Sequence, residues 1–244
     1  MIAIQTFDLE KKYGAKTAVN KLNLSIKQGE LFSLLGVNGA GKTTTIKMLS
    51  CLIRPTSGDA VLLGDSIVSN SNAVKEKTNV SPQETAVAPN LSVKENLELI
   101  AGIYGSDRKT AQKKANEMLS AFDLSEAAKD KAKTLSGGMQ RRLSIAAALI
   151  SNPQILFLDE PTLGLDVLAR RELWSAIKNL KTKITIILTT HYMEEAEVLS
   201  DRIGIMAKGI LKAVGTAAEL MDKTGTRTLE DAFVALATEP EASI

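Results

Sequence analysis

The chain has 244 residues with 30 Lys plus Arg against 28 Asp plus Glu; this near balance does not mark a polyanion binder, and no nucleic-acid partner is expected. Apolar residues make up 44% and aromatics 4%, which points to aliphatic helix-on-sheet packing and away from an aromatic platform for bases. A single cysteine, Cys51, excludes an internal disulfide and suits a reducing compartment.

The opening stretch lacks the basic and apolar segments of a signal peptide, and no run approaches the ~18 apolar residues of a membrane span. A cytoplasmic location is expected, with any membrane role borrowed from another chain. Residues 2–9 and 18–26 alternate apolar and polar and flank YGAK, predicting antiparallel strands joined by a turn. LFSLLG, residues 31–36, is a continuous apolar run ended by a glycine-rich loop, as expected of a strand buried on both faces. A helix follows from Lys42 to about residue 52, stopped by Arg54-Pro55.

Residues 89–153 read as helix after helix. Ser92 with Glu95 forms a capping box before a stripe of Val93, Leu97, Ile100, Ala101 and Tyr104, and Asp107 opens a second helix with Ala115, Met118, Leu119 and Phe122 inward. A third spans 138–150, with Met139, Leu143, Ala146, Ala147 and Ile150 as its apolar face, and Asn152-Pro153 ends it. Strands and helices then alternate: ILFLD, a helix over 167–180, ITIILTT, a helix over 193–199, and RIGIMA and ILKAVG hinged at Lys208-Gly209. Such alternation builds a parallel sheet. Thr216 with Glu219 and Thr228 with Asp231 start two short C-terminal helices. The expected organisation is α/β: a catalytic core with an N-terminal antiparallel β subdomain over 1–88 and 154–215, an inserted α-helical subdomain over 89–153, and a short tail over 216–244.

Three features carry chemistry. Gly36-Val37-Asn38-Gly39-Ala40-Gly41-Lys42-Thr43 fits a phosphate loop between a buried strand and a helix. Glycines let backbone N–H groups converge on an anion, Lys42 adds charge at the β- and γ-phosphates, and the Thr43 hydroxyl can ligate Mg²⁺. The bland alternative is a glycine-rich turn with an incidental lysine. Asp159 and Glu160 end an apolar strand that Pro161 forbids to continue. Beside a phosphate loop they suit a cation held by Asp159 and a water oriented or deprotonated by Glu160; alone they would be a solvated turn. Ser136-Gly137-Gly138 opens a helix with a capping serine and two glycines, either an ordinary cap or a second anion site.

LSGGMQ between a GVNGAGKTT loop and an ILFLDEP strand resembles the ATP-binding cassette family, from Tyr13 to about residue 215. The resemblance implies a P-loop NTPase core, with ATP and Mg²⁺ bound by the loop including Thr44. It implies that Ser136, Gly137 and Gly138 meet the γ-phosphate of ATP held by another subunit, in a head-to-tail dimer with a second copy or a homologous ATPase subunit. Tyr13 matches the aromatic that stacks on adenine, and Gln83 matches the glutamine at Mg²⁺ and the attacking water. Asp166 resembles the aspartate that crosses the dimer interface, and is also a natural cap for the following helix. His191, the only histidine, stands where the family has its switch histidine, beyond the carboxyl end of a strand. Met139 departs from the commonest signature, LSGGQ, at its fifth position.

The implied activity is ATP hydrolysis that drives separate transmembrane permease subunits, with the chain peripheral on the cytoplasmic membrane face. The phosphate loop, THYMEEAE and the short tail resemble the branch serving multidrug, sodium or antibiotic exporters. An importer subunit and a soluble, non-transport ATPase of the same family are the alternatives.

Overall fold

The computed structural model of the protein describes residues 1–238, so the last six residues of the expected tail lie outside the described residues. The chain divides into two compact units, Met1–Glu76 with Lys181 onward, and Lys77–Leu180.

The first unit opens with β1 (Ile2–Tyr13), β2 (Lys16–Leu22), β3 (Ser25–Lys27) and β4 (Leu31–Leu35), followed by α1 (Lys42–Leu49), β5 (Ser57–Leu62), β6 (Asp65–Ser66) and α2 (Ser71–Lys77). β1 runs four residues past its expected end, up to the predicted turn, and shifts register between Leu9 and Lys12. The expected 18–26 strand is two strands, because Asn23 interrupts it. The Asn23 side chain accepts from the Asp8 N–H at 2.9 Å and donates to the Asp8 carboxylate at 2.7 Å, replacing a rung of the backbone ladder. β5 pairs antiparallel with β1, and β6 with β5, so an antiparallel sheet runs β2-β1-β5-β6, with β3 also on β1.

The second unit holds β7 (Thr78–Ser81), α3 (Val93–Ile103), α4 (Arg108–Ala121), a 3-10 turn at Ala132–Thr134, α5 (Gly137–Leu149), β8 (Ile155–Asp159) and α6 (Val167–Lys178). β7 and β8 pair in parallel, Ser81 opposite Leu158. Ser92 caps α3 in a full capping box with Glu95, and Asp107 caps α4 through the Thr110 N–H. The backbone N–H of Ser92 holds the Glu95 carboxyl below its usual range, and that of Thr110 does the same for Asp107. The apolar face expected on α5 is too narrow. Arg141, Leu143, Ser144 and every residue from Ile145 to Leu149 are buried, while Met139 is half-buried, so α5 is enclosed on most of its circumference.

The chain returns to the first unit with β9 (Thr185–Thr190), α7 (Met193–Leu199), β10 (Arg202–Ala207), β11 (Ile210–Gly215), α8 (Ala217–Thr224) and α9 (Leu229–Thr238). β4 lies between β9 and β10, parallel to both, and β11 closes back antiparallel on β10. All residues of β4 and β9 are buried, the mark of strands covered on both faces. Leu35, Ile203, Ile205, Leu220, Leu229, Phe233 and Leu236 make one core, so α8 and α9 pack into the fold. The Thr216 capping box is complete, and the Thr228 hydroxyl accepts from the Asp231 N–H at 3.1 Å.

Candidate functional site

The candidate residues fall into two groups, one in each unit. In the first, β4 ends at Leu35 opposite Thr190 of β9, so residues 36 and 191 leave the same edge of neighbouring parallel strands. The Gly36 N–H donates to the Thr190 carbonyl at 3.2 Å, pinning the start of the loop to the strand that delivers His191. A Cβ at Gly36 would stand 2.4 Å from the Met206 carbonyl oxygen, and one at Gly41, where φ is +105°, 2.4 Å from the Ala18 oxygen. Only glycine lets the chain pass there. Gly209, in the β10–β11 turn, donates to the Ala40 carbonyl at 3.0 Å and accepts from the Asn20 N–H at 2.8 Å, bracing the loop from behind.

The loop opens directly into α1, whose first residues are Lys42, Thr43 and Thr44. Lys42 is 5% exposed. Its ammonium donates to the Gly36 carbonyl at 2.7 Å and to that of Val37 at 3.3 Å, so the charge lies across the loop. Val37, Asn38 and Gly39 form the exposed rim, with Gly39 in the left-handed region. Helix-opening amides, a fixed cation and hydroxyls together make an anion cradle. The His191 ring lies 4.1 Å from that of Tyr192, centroid to centroid. Tyr13, half-exposed at the end of β1, carries the Lys11 ammonium 5.2 Å from its ring centroid. One face of that ring thus already has a cation, itself anchored to the Arg54 carbonyl at 2.6 Å.

In the second unit, Asp159 and Glu160 are both buried, 4% and 6% exposed. Glu160 adopts φ +49°, a region that residues with a Cβ seldom enter. Turns closed by Leu163 N–H on the Glu160 carbonyl and Leu165 N–H on that of Thr162 then lead to α6. Asp166 caps that helix, its Oδ1 accepting from the Leu168 and Ala169 N–H groups at 2.9 Å each. Gln83 is exposed two residues beyond β7. Ser136 caps α5, with its hydroxyl accepting the Met139 N–H at 3.3 Å, and it and Gly137 are exposed. The backbone of Met139 thus serves the cap whatever its side chain.

Sequence reasoning missed Arg141. The residue is 3% exposed, and its guanidinium donates to four carbonyl oxygens: Nε to Pro161 at 2.8 Å, Nη2 to Asp159 at 2.7 Å, and Nη1 to Gln83 at 3.2 Å and to Pro82. In the sequence it is one of two adjacent arginines on a helix, and backbone acceptors leave no pattern of partner residues.

A family model described as "ABC transporter" matches residues 19–163. The linearmycin resistance ATP-binding protein LnrL of Bacillus subtilis is 44% identical over 93% of this chain and 73% of its own length. The doxorubicin resistance ATP-binding protein of Mycobacterium tuberculosis is 41% identical over 92% of this chain and 69% of its own. Among solved structures, the ATP-binding subunit of an ABC transporter superposes with a TM-score of 0.84 at 28% identity, over 96% of this chain and 99% of that one. A dimeric post-hydrolysis state of an ATP-binding cassette bound to ADP and Pi gives 0.78 at 28% identity, over 87% and 98%. The phosphate loop, the buried carboxylate pair and the serine-capped helix therefore stand in a recognised setting, and the chain belongs to the ABC transporter family.

Proposed function

We propose that this chain binds and hydrolyses ATP to power an exporter, through head-to-tail dimerisation coupled to separate transmembrane permease subunits. The observation that carries it is the loop at residues 36–44, which holds a buried lysine ammonium across backbone that only glycine can form. The names of the resistance relatives favour export over import, and the dimeric ADP- and Pi-bound relative favours the sandwich. No helix among the described residues is long and apolar enough to cross a membrane.

In this reading Lys42 neutralises charge developing on the β- and γ-phosphates, and Glu160 orients or deprotonates the attacking water. Gln83 and His191 answer to the γ-phosphate, Tyr13 stacks on adenine, and Ser136, Gly137, Gly138 and Asp166 act across the dimer. Thr43, Asp159 and Gln83 offer hydroxyl, carboxylate and amide oxygens, a hard donor set that fits Mg²⁺. Among the described residues no three His, Cys, Asp or Glu side chains converge on a metal site. The ion's remaining ligands would be water and phosphate oxygens, as Mg²⁺ prefers. When bound it supplies charge neutralisation at the transferred phosphoryl group. We assign residues 1–88 and 154–215 to the catalytic core, 89–153 to the lobe that answers to the permease, and 216–244 to a tail.

Glu160→Gln tests this function. It is expected to keep MgATP affinity within about threefold, to lose turnover by about a hundredfold or more, and to elute as a dimer when ATP is present. Tight ATP binding by a species that stays monomeric at high concentration would contradict the sandwich.

A further inference from the structure

We propose that Arg141 is a positioning residue for hydrolysis, a clamp on the backbone either side of Glu160 that also ties Glu160 to the segment carrying Gln83; this rests on the catalytic role given to Glu160. Burying a guanidinium is costly unless its donors are satisfied. Arg141, at 3% exposure, donates through its guanidinium to four backbone carbonyls, a set of contacts that fixes the geometry of the chain around it.

The carbonyls of Asp159 and Pro161 flank Glu160. The Asp159 carbonyl lies in the peptide plane that enters Glu160, and the Pro161 carbonyl one plane beyond the plane that leaves it, across a proline whose ring holds φ. Holding both ends of this short segment narrows the directions open to the Glu160 Cα–Cβ bond, and hence the arc its carboxylate can reach. The clamp is needed because φ at Glu160 is +49°, where the chain would otherwise relax. The third nitrogen, Nη1, reaches the Pro82 and Gln83 carbonyls, so one rigid planar group spans the ends of β7 and β8. Arg141 also lies on α5, five residues after the cap Ser136. A shift of that helix or of the Gln83 segment therefore reaches the Glu160 backbone through a single side chain, with no intervening flexible contact. Lysine keeps the charge yet offers one nitrogen, which cannot serve three separated sets of acceptors.

The test uses Arg141→Lys in the full chain, alone and with Glu160→Gln. R141K is expected to lower kcat about 10- to 100-fold, the scale of a misplaced catalytic group, with ATP Kd by calorimetry within about threefold. Added to Glu160→Gln, it should cost nothing further, because the group it positions is gone. The exchange of the Leu163 and Leu165 amides, which close the turns after Glu160, should quicken about tenfold, a readout independent of turnover.

Wild-type kcat in R141K overturns the proposal, as does equal loss of kcat and affinity or an additive loss in the double variant. Turnover by Glu160→Gln at the wild-type rate overturns the role of Glu160 instead. In that event the exchange still judges the clamp: unchanged Leu163 and Leu165 amides refute it, and quickened ones uphold it. If R141K does not fold, Arg141→Gln takes its place with the same thresholds. Failure of both to fold assigns Arg141 a purely structural role and rejects the proposal.

Discussion

A methyl group at position 36 would meet the Met206 carbonyl oxygen at 2.4 Å and the Ala40 Cβ at 2.9 Å, both parts of the loop's own support. Gly36→Ala is therefore expected to destabilise the protein by about 2–4 kcal/mol and weaken ATP binding together, read by thermal melting and calorimetry. Lys42→Ala removes charge without that clash, so it should lose ATP affinity by at least about tenfold while the apo melting temperature moves by a few degrees at most. Cys51 sits half-buried with φ +58°, and burial pushes its thiol up, outweighing the lowering by nearby Lys75. Its alkylation by iodoacetamide at about pH 8 should be slower than that of free cysteine, since the thiolate fraction is smaller. Rates matching free cysteine would contradict that environment. At this scale the phosphate loop and the carboxylate pair were legible because their chemistry demands particular residue types at fixed spacing. Arg141 was not, because it binds backbone, and backbone carbonyls are the same at every residue.

Helix starts were the most legible elements, since a cap is a local bargain between a side chain and the next turn. Ser92, Asp107, Ser136, Asp166 and Thr216 all hold the amides their positions imply. Strands β5 and β7, SGDAVL and TNVS, escaped notice because each is short and interrupted by polar residues. They are held by partners distant in the chain, β1 and β8, which no local pattern reveals. α5 was read too narrowly for a related reason: alanine and serine fit a crowded interior without looking strongly apolar. The caps also set a pH dependence. Glu95 and Asp107 titrate below their ordinary values in the folded protein, so their stabilisation is whole above the ordinary carboxylate range and is lost as pH falls through the depressed values. NMR of the Glu95 and Thr110 amides from about pH 6 to 2 should show α3 and α4 fraying from their N-termini only at the acid end. Asp107→Asn should remove that step for α4.

Within each unit of the molecule, distant segments meet: β4 is flanked by β9 and β10, strands that begin more than 150 residues later. The alternating pattern foretold a parallel sheet, but strand order follows from which buried faces fit, and no residue motif encodes it. At this scale the proposed function predicts that the chain, expressed with its native membranes, co-purifies with an integral membrane protein and that ATP hydrolysis changes when the two are reconstituted. A chain that hydrolyses ATP fully and is recovered only without membrane partners would favour the soluble alternative.

The bracing of residues 36–41 by Thr190, Met206 and Gly209 carries a consequence for synthesis. Those supports leave the ribosome about 10–30 s after the loop they hold, at ~5–20 residues per second. Until then a nascent chain has the nucleotide motif in its sequence yet lacks the scaffold that shapes it. Arrested chains ending before residue 190 should fail to retain an ATP analogue, and those extended past residue 215, with the ribosomal tunnel cleared, should acquire it.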